Sequence, residues 1–419
     1  MYLVPGYITH SEENGDIFIC SNLQLNAVKL TDDTVKKEFH ELIQSGGCLE
    51  LDSPLKIFLH EQEMLNTPNE IRELLNNLRK LMDESLFVTI MPTEGCNFRC
   101  PYCYESHTPN TMLRETLDQI MSYISQQATN FKYIQLNWFG GEPTLCKDVV
   151  LEVSDFLQHL GAEKGFKFAS NMTTNGYLLD KDSFLEYYDK GITDYQITLD
   201  GWGHDKTRPH VSGRGTLATV LSNLKVISQL PKEKYQFHIV IRHNILPDDR
   251  DYDWYDYLLK LFGNDERFYM LIRPVGNWGG ESVQKMNILK GNERNSLVLE
   301  HIEYVRKIGM NCENGVGGIF GKICPASYPN SVVFRANGRI EKCTVCLNHP
   351  ENHLGDVIPD VGVVIDEKIN QLWSTSDLKE ECLQCPDVLS CLNMQCRKPQ
   401  IVDGCDECGR CSREITRIY

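Results

Sequence analysis

The sequence predicts an α/β protein in which a parallel sheet lies between a small N-terminal unit and a cysteine-rich C-terminal region. Three observations predict this class. Strand and helix patterns alternate from about residue 85 to 310, three short strands precede three helices in residues 1–84, and 11 of the 17 cysteines follow residue 311. A chain of 419 residues can bury a large core. We therefore place the domains at 1–84, 85–310 and 311–419.

The first 84 residues predict a small winged-helix-like unit. The stretches "MYLVPGYITH", "GDIFIC" and "LNAVKL" have the composition of short strands, and three helical patterns follow them. The helices begin at Thr31, Ser53 and Thr67, and Pro68 and Glu70 give the third helix a first-turn proline and a capping box. No metal-ligand cluster occurs in this stretch of sequence. We interpret it as either a packing domain or a docking module for a partner.

Between about residues 85 and 310, apolar runs of strand length alternate with helical stripes. "LFVTIM" ends at a cysteine loop, "YIQLNWF" at "GGEP", "FKFAS" before "TTNG" and "DYQITL" at "DG", and "FHIVIRHNI" and "FYMLIRPV" follow. This alternation predicts a parallel sheet. Active sites of parallel barrels lie at the carboxyl ends of the strands. The glycines, acidic residues and cysteines just past these strands are therefore expected to meet at one edge.

Charge and composition limit the function classes. A net charge of −16 argues against a nucleic-acid partner, which needs a basic face. No apolar run approaches the roughly 20 residues of a membrane span, and no signal peptide is evident, so a cytoplasmic location is expected. In that compartment 17 cysteines indicate metal or redox chemistry. Cys20, Cys48 and Cys146 stand apart from the others and are interpreted as buried or free thiols.

The stretch "GCNFRCPYCYE" places Cys96, Cys100 and Cys103 in one short loop. Iron–sulfur clusters and structural zinc sites usually take four protein ligands, so three thiolates leave one metal position open. The stretch resembles the signature of the radical S-adenosylmethionine (radical SAM) enzymes, with Tyr102 in the aromatic place before the last cysteine. The resemblance implies a partial (β/α)6 barrel and a [4Fe-4S] cluster whose open iron binds SAM. The 5′-deoxyadenosyl radical made from SAM then abstracts a substrate hydrogen.

Further residues resemble the SAM contacts of this family, in the family's order along the chain. Gly140, Gly141 and Glu142 resemble the turn that binds the SAM amino group, and glycine allows close approach of the backbone. Thr198 stands where the family commonly has a serine that contacts the nucleoside. Arg208 resembles the arginine near the SAM carboxylate. An ordinary strand-to-helix turn and a surface ion pair are the alternative interpretations of "GGEP" and Arg208.

The C-terminal cysteines resemble the SPASM extension of radical SAM peptide-modifying enzymes, which holds up to two auxiliary [4Fe-4S] clusters. Cys324 is followed by 13 residues, Gly338, four residues and Cys343, and a C-x2-C-x5-C run comes later. Three clusters are therefore expected in total. For the first auxiliary cluster the resemblance implies Cys324, Cys343 and Cys396, with Cys312 or Cys346 as the fourth ligand.

For the second auxiliary cluster the resemblance implies Cys382, Cys385, Cys391 and one cysteine of the tail. Cys411 has the most family-like spacing, although Cys405 and Cys408 are also candidates. The sequence departs from the family pattern in having four residues between Cys391 and Cys396, where the family has three. Zinc-binding loops built from the C-x2-C pairs are the alternative.

Two features favour a maturase of ribosomally made peptides. The order of three strands and three helices is similar to the element that captures leader peptides by adding a strand. Thr344 stands where sulfatase-maturing enzymes carry a general-base aspartate, and it cannot act as a carboxylate base. The sequence predicts a radical SAM oxidoreductase that forms a thioether or carbon–carbon crosslink in a precursor peptide. It does not identify the general base.

The expected partners are a precursor peptide with leader and core and a flavodoxin- or ferredoxin-type electron donor, with neither nucleic acid nor membrane. One alternative is a sulfatase-maturing or peptide-epimerising radical SAM enzyme. The other is a non-catalytic iron–sulfur electron carrier or a zinc scaffold. Metal content separates the scaffold from the rest, since three clusters require about twelve iron atoms and no zinc.

Overall fold

The computed structural model describes residues 8–13, 15–21, 27–45, 53–62, 64, 68–263, 265–280, 282–289, 291–312, 323–374, 382 and 391–404. These residues form two compact units. The smaller unit contains the described residues of 8–82 together with 323–324, 382 and 391–396, and the larger contains those of 83–312, 325–374 and 397–404. The predictions for Cys48, Cys385, Cys405, Cys408 and Cys411 lie outside the described residues.

The smaller unit contains a three-stranded antiparallel sheet in the order β1-β2-β3, so both β1 and β3 are edge strands among the described residues. Its elements are β1 (Ile8–Glu13), β2 (Asp16–Ser21), β3 (Ala27–Leu30), α1 (Asp33–Ser45), α2 (Pro54–Glu61) and α3 (Pro68–Asp83). The predicted order of three strands and three helices is confirmed. The winged-helix assignment itself stays a prediction.

Two caps explain where the first helices of this unit begin. Asp32 Oδ1 accepts hydrogen bonds from the backbone N–H groups of Thr34 and Val35, so α1 begins after Asp32 and not at Thr31. Ser53 Oγ likewise accepts from the N–H of Lys56 and starts α2. The apolar faces of β2, α1 and α2 pack into one small core, formed by Ile17, Ile19, Leu30, Val35, Phe39, Leu42, Leu55, Leu59 and Met64.

The larger unit is built on six parallel strands that are neighbours in chain order, as the alternating pattern predicts. They are β4 (Ser85–Met91), β5 (Tyr133–Trp138), β6 (Lys167–Thr174), β7 (Ile192–Thr198), β8 (His238–Ile245) and β9 (Phe268–Pro274). The connecting helices are α4 (Arg114–Gln127), α5 (Lys147–Lys164), α6 (Lys181–Asp189), α7 (His204–Thr207), α8 (Leu217–Ser228) and α9 (Asp253–Phe262), and α10 (Gly291–Lys307) follows β9.

Part of the cysteine-rich region continues the same sheet. Strand β10 (Ser331–Arg335) pairs parallel with β4, and β11 (Arg339–Glu341), β12 (His353–Ile358) and β13 (Gly362–Ile365) follow antiparallel. The sheet therefore has ten strands among the described residues. Helices α11 (Glu367–Trp373) and α12 (Lys398–Ile401) complete this unit. The assignment of residues 311–419 as a SPASM domain stays a prediction.

One face of the parallel strands carries polar side chains in register. Asn137 of β5 pairs with Thr89 and Asn171 on its two neighbours, and its amide hydrogen-bonds both, at 3.3 Å and 2.6 Å. On the other side of the sheet centre, Thr198 of β7 is in register with Arg242 of β8. Polar residues at alternate positions of otherwise apolar strands indicate a face turned toward a site.

Within the described part of the chain, every helix is too short or too polar to cross a bilayer.

Candidate active site

The loop after β4 carries Cys96, Cys100 and Cys103, and neighbouring elements hold it in place. The backbone N–H of Arg99 donates to the carbonyl of Pro209 at 2.9 Å, and the side chain of Asn175 donates to Asn97 Oδ1 at 2.7 Å. Within the loop, the N–H of Phe98 donates to the sulfur of Cys96 at 3.3 Å. The three thiols are thus set by contacts to the ends of β6 and α7.

Gly140 and Gly141 pack directly against this loop. The N–H of Gly141 donates to Thr93 O at 3.1 Å, and the N–H of Glu142 donates to Gly95 O at 2.9 Å. A Cβ on Gly141 would lie 2.5 Å from the carbonyl oxygen of Glu94 and overlap that of Gly95. The close approach that these glycines allow is therefore an approach to the backbone of the cysteine loop.

Gly141→Ala should destabilise the protein by about 1–3 kcal/mol and impair loading of the cluster, because the added methyl group must push the cysteine loop away. Urea unfolding and iron content would measure the two effects. Gly203→Ala is a matched control, since its Cβ would meet no atom within 4 Å and its φ of −78° suits alanine. Equal stability of the two variants would contradict the packing role of Gly141.

Glu142 is buried, and four donors of the protein surround its carboxylate. Oε1 accepts from the N–H and hydroxyl of Thr144 at 3.1 Å and 2.6 Å and from the hydroxyl of Thr174 at 2.6 Å. Oε2 accepts from the N–H of Asn175 at 2.7 Å. Burial raises the pKa of Glu142, and these hydrogen bonds oppose the rise. The carboxylate thus joins the turn after β5 to the end of β6.

Glu142→Gln replaces one acceptor oxygen by an amide that faces protein donors. We expect a loss of stability of about 1–3 kcal/mol and a loss of SAM affinity of similar size, the scale of hydrogen bonds to a charged group. Urea unfolding and SAM titration report these separately. Glu186→Gln, at a surface pair with Lys147, is the control. Reduced stability with unchanged SAM affinity would show that Glu142 only organises the turn.

Tyr102, Asp200, Arg208 and Asn244 form one hydrogen-bonded network at the ends of β7 and β8. The hydroxyl of Tyr102 donates to Asp200 Oδ2, and Arg208 Nη1 donates to that hydroxyl at 3.0 Å. Asn244 Nδ2 donates to Asp200 Oδ1 at 3.2 Å. Arg208 also lies over the ring of Phe98, 5.6 Å from its centroid. The alternative interpretation of Arg208 as a surface ion pair is wrong, since it is buried in this network.

A cavity of about 380 Å³ lies between the cysteine loop and the ends of the strands. All nine residues that the sequence predicts for the SAM site line it, namely Cys96, Cys100, Tyr102, Cys103, Gly140, Gly141, Glu142, Thr198 and Arg208. The cavity also reaches Thr344 and Val345 of the loop after β11. The structure therefore brings the predicted residues of the larger unit to one place.

The residues of this cavity fit a cluster and a polar ligand. Arg208 Nε and Glu105 Oε2 are buried without a hydrogen-bond partner among the described residues, and both residues line the cavity. Burial raises the pKa of the Cys96 and Cys103 thiols to about 12, and it also raises the pKa of Cys100. A metal or cluster that binds these thiols must therefore displace their protons.

Among the described residues, no three His, Cys, Asp or Glu side chains converge on one point as ligands of a single metal ion. A cubane cluster has different requirements, because each of its cysteines binds a separate iron atom. The three thiols of the cysteine loop need to line one cavity, which they do. The donor set therefore fits a [4Fe-4S] cluster with one iron left for another ligand.

In the larger unit, Cys343 and Cys346 are buried side by side in the loop after β11. Hydrogen bonding to Cys343, together with burial, raises the pKa of Cys346. Asn352 fixes this loop: its Oδ1 accepts from the N–H of Cys343 at 2.7 Å, and its Nδ2 donates to the carbonyls of Cys343 and Cys346 at 2.9 Å and 3.2 Å. Cys312 instead lies beside Met270 of β9.

In the smaller unit, the structure describes Cys324, Cys382, Cys391 and Cys396. The N–H of Cys324 donates to the carbonyl of Met394 at 2.8 Å, so Cys324 lies beside the 391–396 segment. The sulfur of Cys391 hydrogen-bonds Gln395 Oε1 at 2.8 Å. The ligand sets of the two auxiliary clusters stay predictions.

Several residues of the cavity were not foreseen. Glu105, Arg242, Asn244 and Trp278 line it, and Asp200 supports it. A signal existed for two of them, because Arg242 and Asn244 occupy alternate positions of the apolar strand "HIVIRHNI". Burial, reinforced by the charge of Glu94, raises the pKa of Glu105 to about 8. Glu105 directly follows the cysteine signature and was not assigned a role from the sequence.

The residues of this site lie within a stretch that is similar to a known protein family. Residues 90–257 match the Radical SAM superfamily, and this span runs from the end of β4 into α9. The similarity to radical SAM enzymes therefore covers 168 of the 419 residues, 90 to 257 inclusive. The matched span includes the three loop cysteines, the glycine turn and Arg208. The match supports binding of SAM by this chain.

Relatives of the radical SAM domain are distant. The putative glycyl-radical enzyme activating enzyme of Methanocaldococcus jannaschii is 28% identical over 209 residues, which are 48% of this chain and 74% of that protein. The GTP 3',8-cyclase of Haemophilus ducreyi is 27% identical over 157 residues, 37% of this chain and 44% of the cyclase. The chain thus spans less than half of that cyclase.

A solved structure of native anSMEcpe with bound AdoMet and Cp18Cys peptide aligns with a TM-score of 0.53 at 18% identity. The alignment covers 80% of this chain and 96% of anSMEcpe. At this level of identity the similarity shows a shared fold.

Proposed function

We propose that this protein is a radical SAM peptide maturase that forms a thioether or carbon–carbon crosslink in a precursor peptide. One observation carries the proposal. The cavity that holds the predicted SAM residues is also lined by Thr344 and Val345, which lie between the buried Cys343 and Cys346. A substrate in this cavity would contact both cysteine loops of the larger unit.

A peptide substrate is supported by two further observations. Structures of similar fold include anSMEcpe with bound AdoMet and a peptide. The smaller unit has two free sheet edges among the described residues, and an unpaired edge is a template for an extended peptide. Thr344 opposes formylglycine formation, because its own side chain lacks the carboxylate that the resemblance implies for the base at this position, although Glu105 and Glu142 also line the cavity.

The chain's own residues have distinct roles in this proposal. Cys96, Cys100 and Cys103 hold the cluster, Arg208 binds the SAM carboxylate, and Glu142 fixes the turn that faces the SAM amino group. When bound, the cluster and SAM supply a 5′-deoxyadenosyl radical that abstracts a substrate hydrogen. Asp200 orients Tyr102, which in turn accepts a hydrogen bond from Arg208.

The auxiliary clusters are assigned by proposal. Cys343 would be a ligand of the first, and the contact between its side chain and that of Cys346 favours Cys346 over Cys312 as a further ligand. The family resemblance adds Cys324 and Cys396 to the expected ligands of the first, and it implies Cys382, Cys385, Cys391 and Cys411 for the second. If present, an auxiliary cluster held by these cysteines would supply a site for electron transfer, and the expected electron donor to the chain is a flavodoxin- or ferredoxin-type protein.

Mass spectrometry of peptides treated with the reconstituted enzyme, SAM and dithionite under anaerobic conditions tests the function. Candidate precursors are short open reading frames that neighbour the coding sequence. We expect 5′-deoxyadenosine and a peptide that has lost two hydrogens and has gained a crosslink. Oxidation of a serine or cysteine to formylglycine, or a change of stereochemistry without a change of mass, would replace the proposal by a sulfatase-maturing or epimerising function.

The docking role of the smaller unit is testable with single prolines on its edge strands. Successive N–H groups of a strand point in opposite directions, so of two neighbouring prolines only one removes an outward donor. We expect one of Val28→Pro and Lys29→Pro on β3, or one of Ser11→Pro and Glu12→Pro on β1, to abolish precursor binding in calorimetry while the unfolding temperature stays near that of the parent. Unchanged precursor binding in all four would exclude edge docking.

A further inference from the structure

The cavity contains a second arginine, Arg242, for which the predicted SAM site has no use. Arg242 lies on β8 in register with Thr198 of β7, so both side chains point to the same face of the sheet. It lines the cavity together with Arg208. In a chain with a net charge of −16, two guanidinium groups in one cavity require an explanation.

The side chain of Arg242 is held by one hydrogen bond, and its other donors have no hydrogen-bond partner among the described residues. Its Nε donates to Asn244 Oδ1 at 2.8 Å, and this is its one hydrogen bond among the described residues. The amide of Asn244 is itself held, because Nδ2 donates to Asp200 Oδ1 at 3.2 Å. A guanidinium carries five N–H donors, so the two terminal nitrogens of Arg242 remain available to a ligand.

No carboxylate of the described residues pairs with Arg242. Asp200 contacts the same Asn244 that holds Arg242, but its two oxygens already accept from Tyr102, Thr207 and both nitrogens of Asn244. Arg273 adds a second positive charge, since its partner in the register is Asn244, two residues along the same face. Burial and the charge of Arg273 lower the pKa of Arg242. Keeping an unpaired cation in such a place is costly unless a ligand supplies the anion.

The planar fork of arginine matches a carboxylate, which it binds through two parallel hydrogen bonds. SAM has one carboxylate, and Arg208 accounts for it in the proposed function. The substrate peptide is then a further source of a carboxylate in this cavity. Tyr104 and Arg242 line the cavity together with Thr344 and Val345 of the Cys343–Cys346 loop.

We infer that Arg242 is a specificity-determining residue that binds a carboxylate of the substrate peptide. This inference rests on the proposed function, and it adds a substrate class: peptides with an acidic side chain or a free carboxyl terminus next to the residue that is modified. Asn244 is a positioning residue, because it directs the terminal nitrogens of Arg242 into the cavity.

Small carboxylates can probe the subsite without any reaction. Binding to the full-length reconstituted protein with saturating SAM would be measured by calorimetry. N-acetylglutamate α-amide carries only the side-chain carboxylate, N-acetylglutamine carries only the terminal carboxylate, and N-acetylglutamine amide carries neither. We expect one of the two anions to bind and the neutral amide not to bind, and the anion that binds identifies the source of the carboxylate.

Arg242→Gln should weaken binding of that anion at least tenfold while SAM affinity stays within twofold of the parent, and Arg242→Lys should retain part of the binding because the charge remains. Arg114→Gln, at an exposed arginine paired with Asp118 and Glu152, is the control. Failure of both anions to bind the parent protein would overturn the inference. So would equal anion binding by Arg242→Gln, or a loss of SAM affinity in place of a loss of anion affinity.

The outcomes separate this inference from the proposed function. Anion binding through Arg242 in a protein that cleaves SAM but crosslinks no peptide would leave the carboxylate subsite and remove the maturase function. Crosslinking of a precursor by an enzyme that binds neither anion would support the maturase function and overturn the carboxylate subsite.

Discussion

Replacing Cys96, Cys100 and Cys103 together with alanine is expected to abolish SAM cleavage and to leave the auxiliary iron in place. The three thiols line one cavity, and they are the only cysteines of the described residues that line it. The cysteines that we propose as ligands of the auxiliary clusters lie elsewhere in the chain. Iron content should therefore fall from about twelve to about eight atoms per chain, four for each auxiliary cluster that remains.

Anaerobic reconstitution followed by iron analysis and chromatography of 5′-deoxyadenosine would measure both effects. Cys146→Ala is a suitable control, because this thiol contacts Pro92 O at 3.9 Å but does not line the cavity. Deoxyadenosine production by the triple variant would refute the assignment of the cluster. Loss of all iron would instead show that the auxiliary sites depend on the cysteine loop.

Arg335→Met is expected to destabilise the protein by about 3–5 kcal/mol, the cost of removing one partner from a buried ion pair. Arg335 ends β10, and its side chain is 3% exposed. Its Nε donates to Glu94 Oε1 at 2.7 Å, and its Nη1 donates to Glu341 Oε1 at 3.1 Å and Asn348 Oδ1 at 2.6 Å. Without the guanidinium, buried Glu94 loses its ion pair with Arg335, and buried Glu341 keeps only its contact with Arg339.

The same change should also impair the cluster site, because Glu94 lies two residues before Cys96 in the loop that Arg335 holds. Arg339→Met is the matched control. Arg339 also contacts Glu341 Oε1 at 3.1 Å, but its side chain is 31% exposed, so we expect a loss of about 1 kcal/mol or less. Urea unfolding of both variants would test this. Similar losses of unfolding free energy in the two variants would mean that the buried ion pairs of Arg335 stabilise the protein no more than the exposed pair of Arg339 does.

The parallel sheet and the position of the site were predictable because both depend on local patterns. Apolar strands alternate with helical stripes, and cysteines or glycines end the first two strands. The carboxyl ends of parallel strands must meet at one edge, so "GCNFRCPYCYE" and "GGEP" were expected to meet. Gly141 does lie in close contact with Gly95, so the two stretches meet in the structure.

Other features depend on contacts between distant parts of the chain, which no local pattern records. Strand β10 pairs with β4 although about 240 residues separate Arg335 from Glu94. The short run "SVVFR" gives no sign of its partner. In the sequence, Arg242 is one polar residue in an apolar strand. The inference that it binds a carboxylate depends on the structure, in which no carboxylate of the described residues pairs with it.

The smaller unit joins segments that are far apart in the sequence. Arg79 Nη1 donates to the carbonyl of Leu392 at 3.5 Å, a contact across 313 residues. During translation the strands and helices of residues 8–82 emerge first, and they cannot acquire this neighbour until nearly the whole larger unit has been synthesised. Pairings at such separation form late and leave apolar surface exposed in the interval. The segment 391–396 is therefore expected to join this unit late in folding, and expression hosts rich in chaperones should give the highest yield of folded protein.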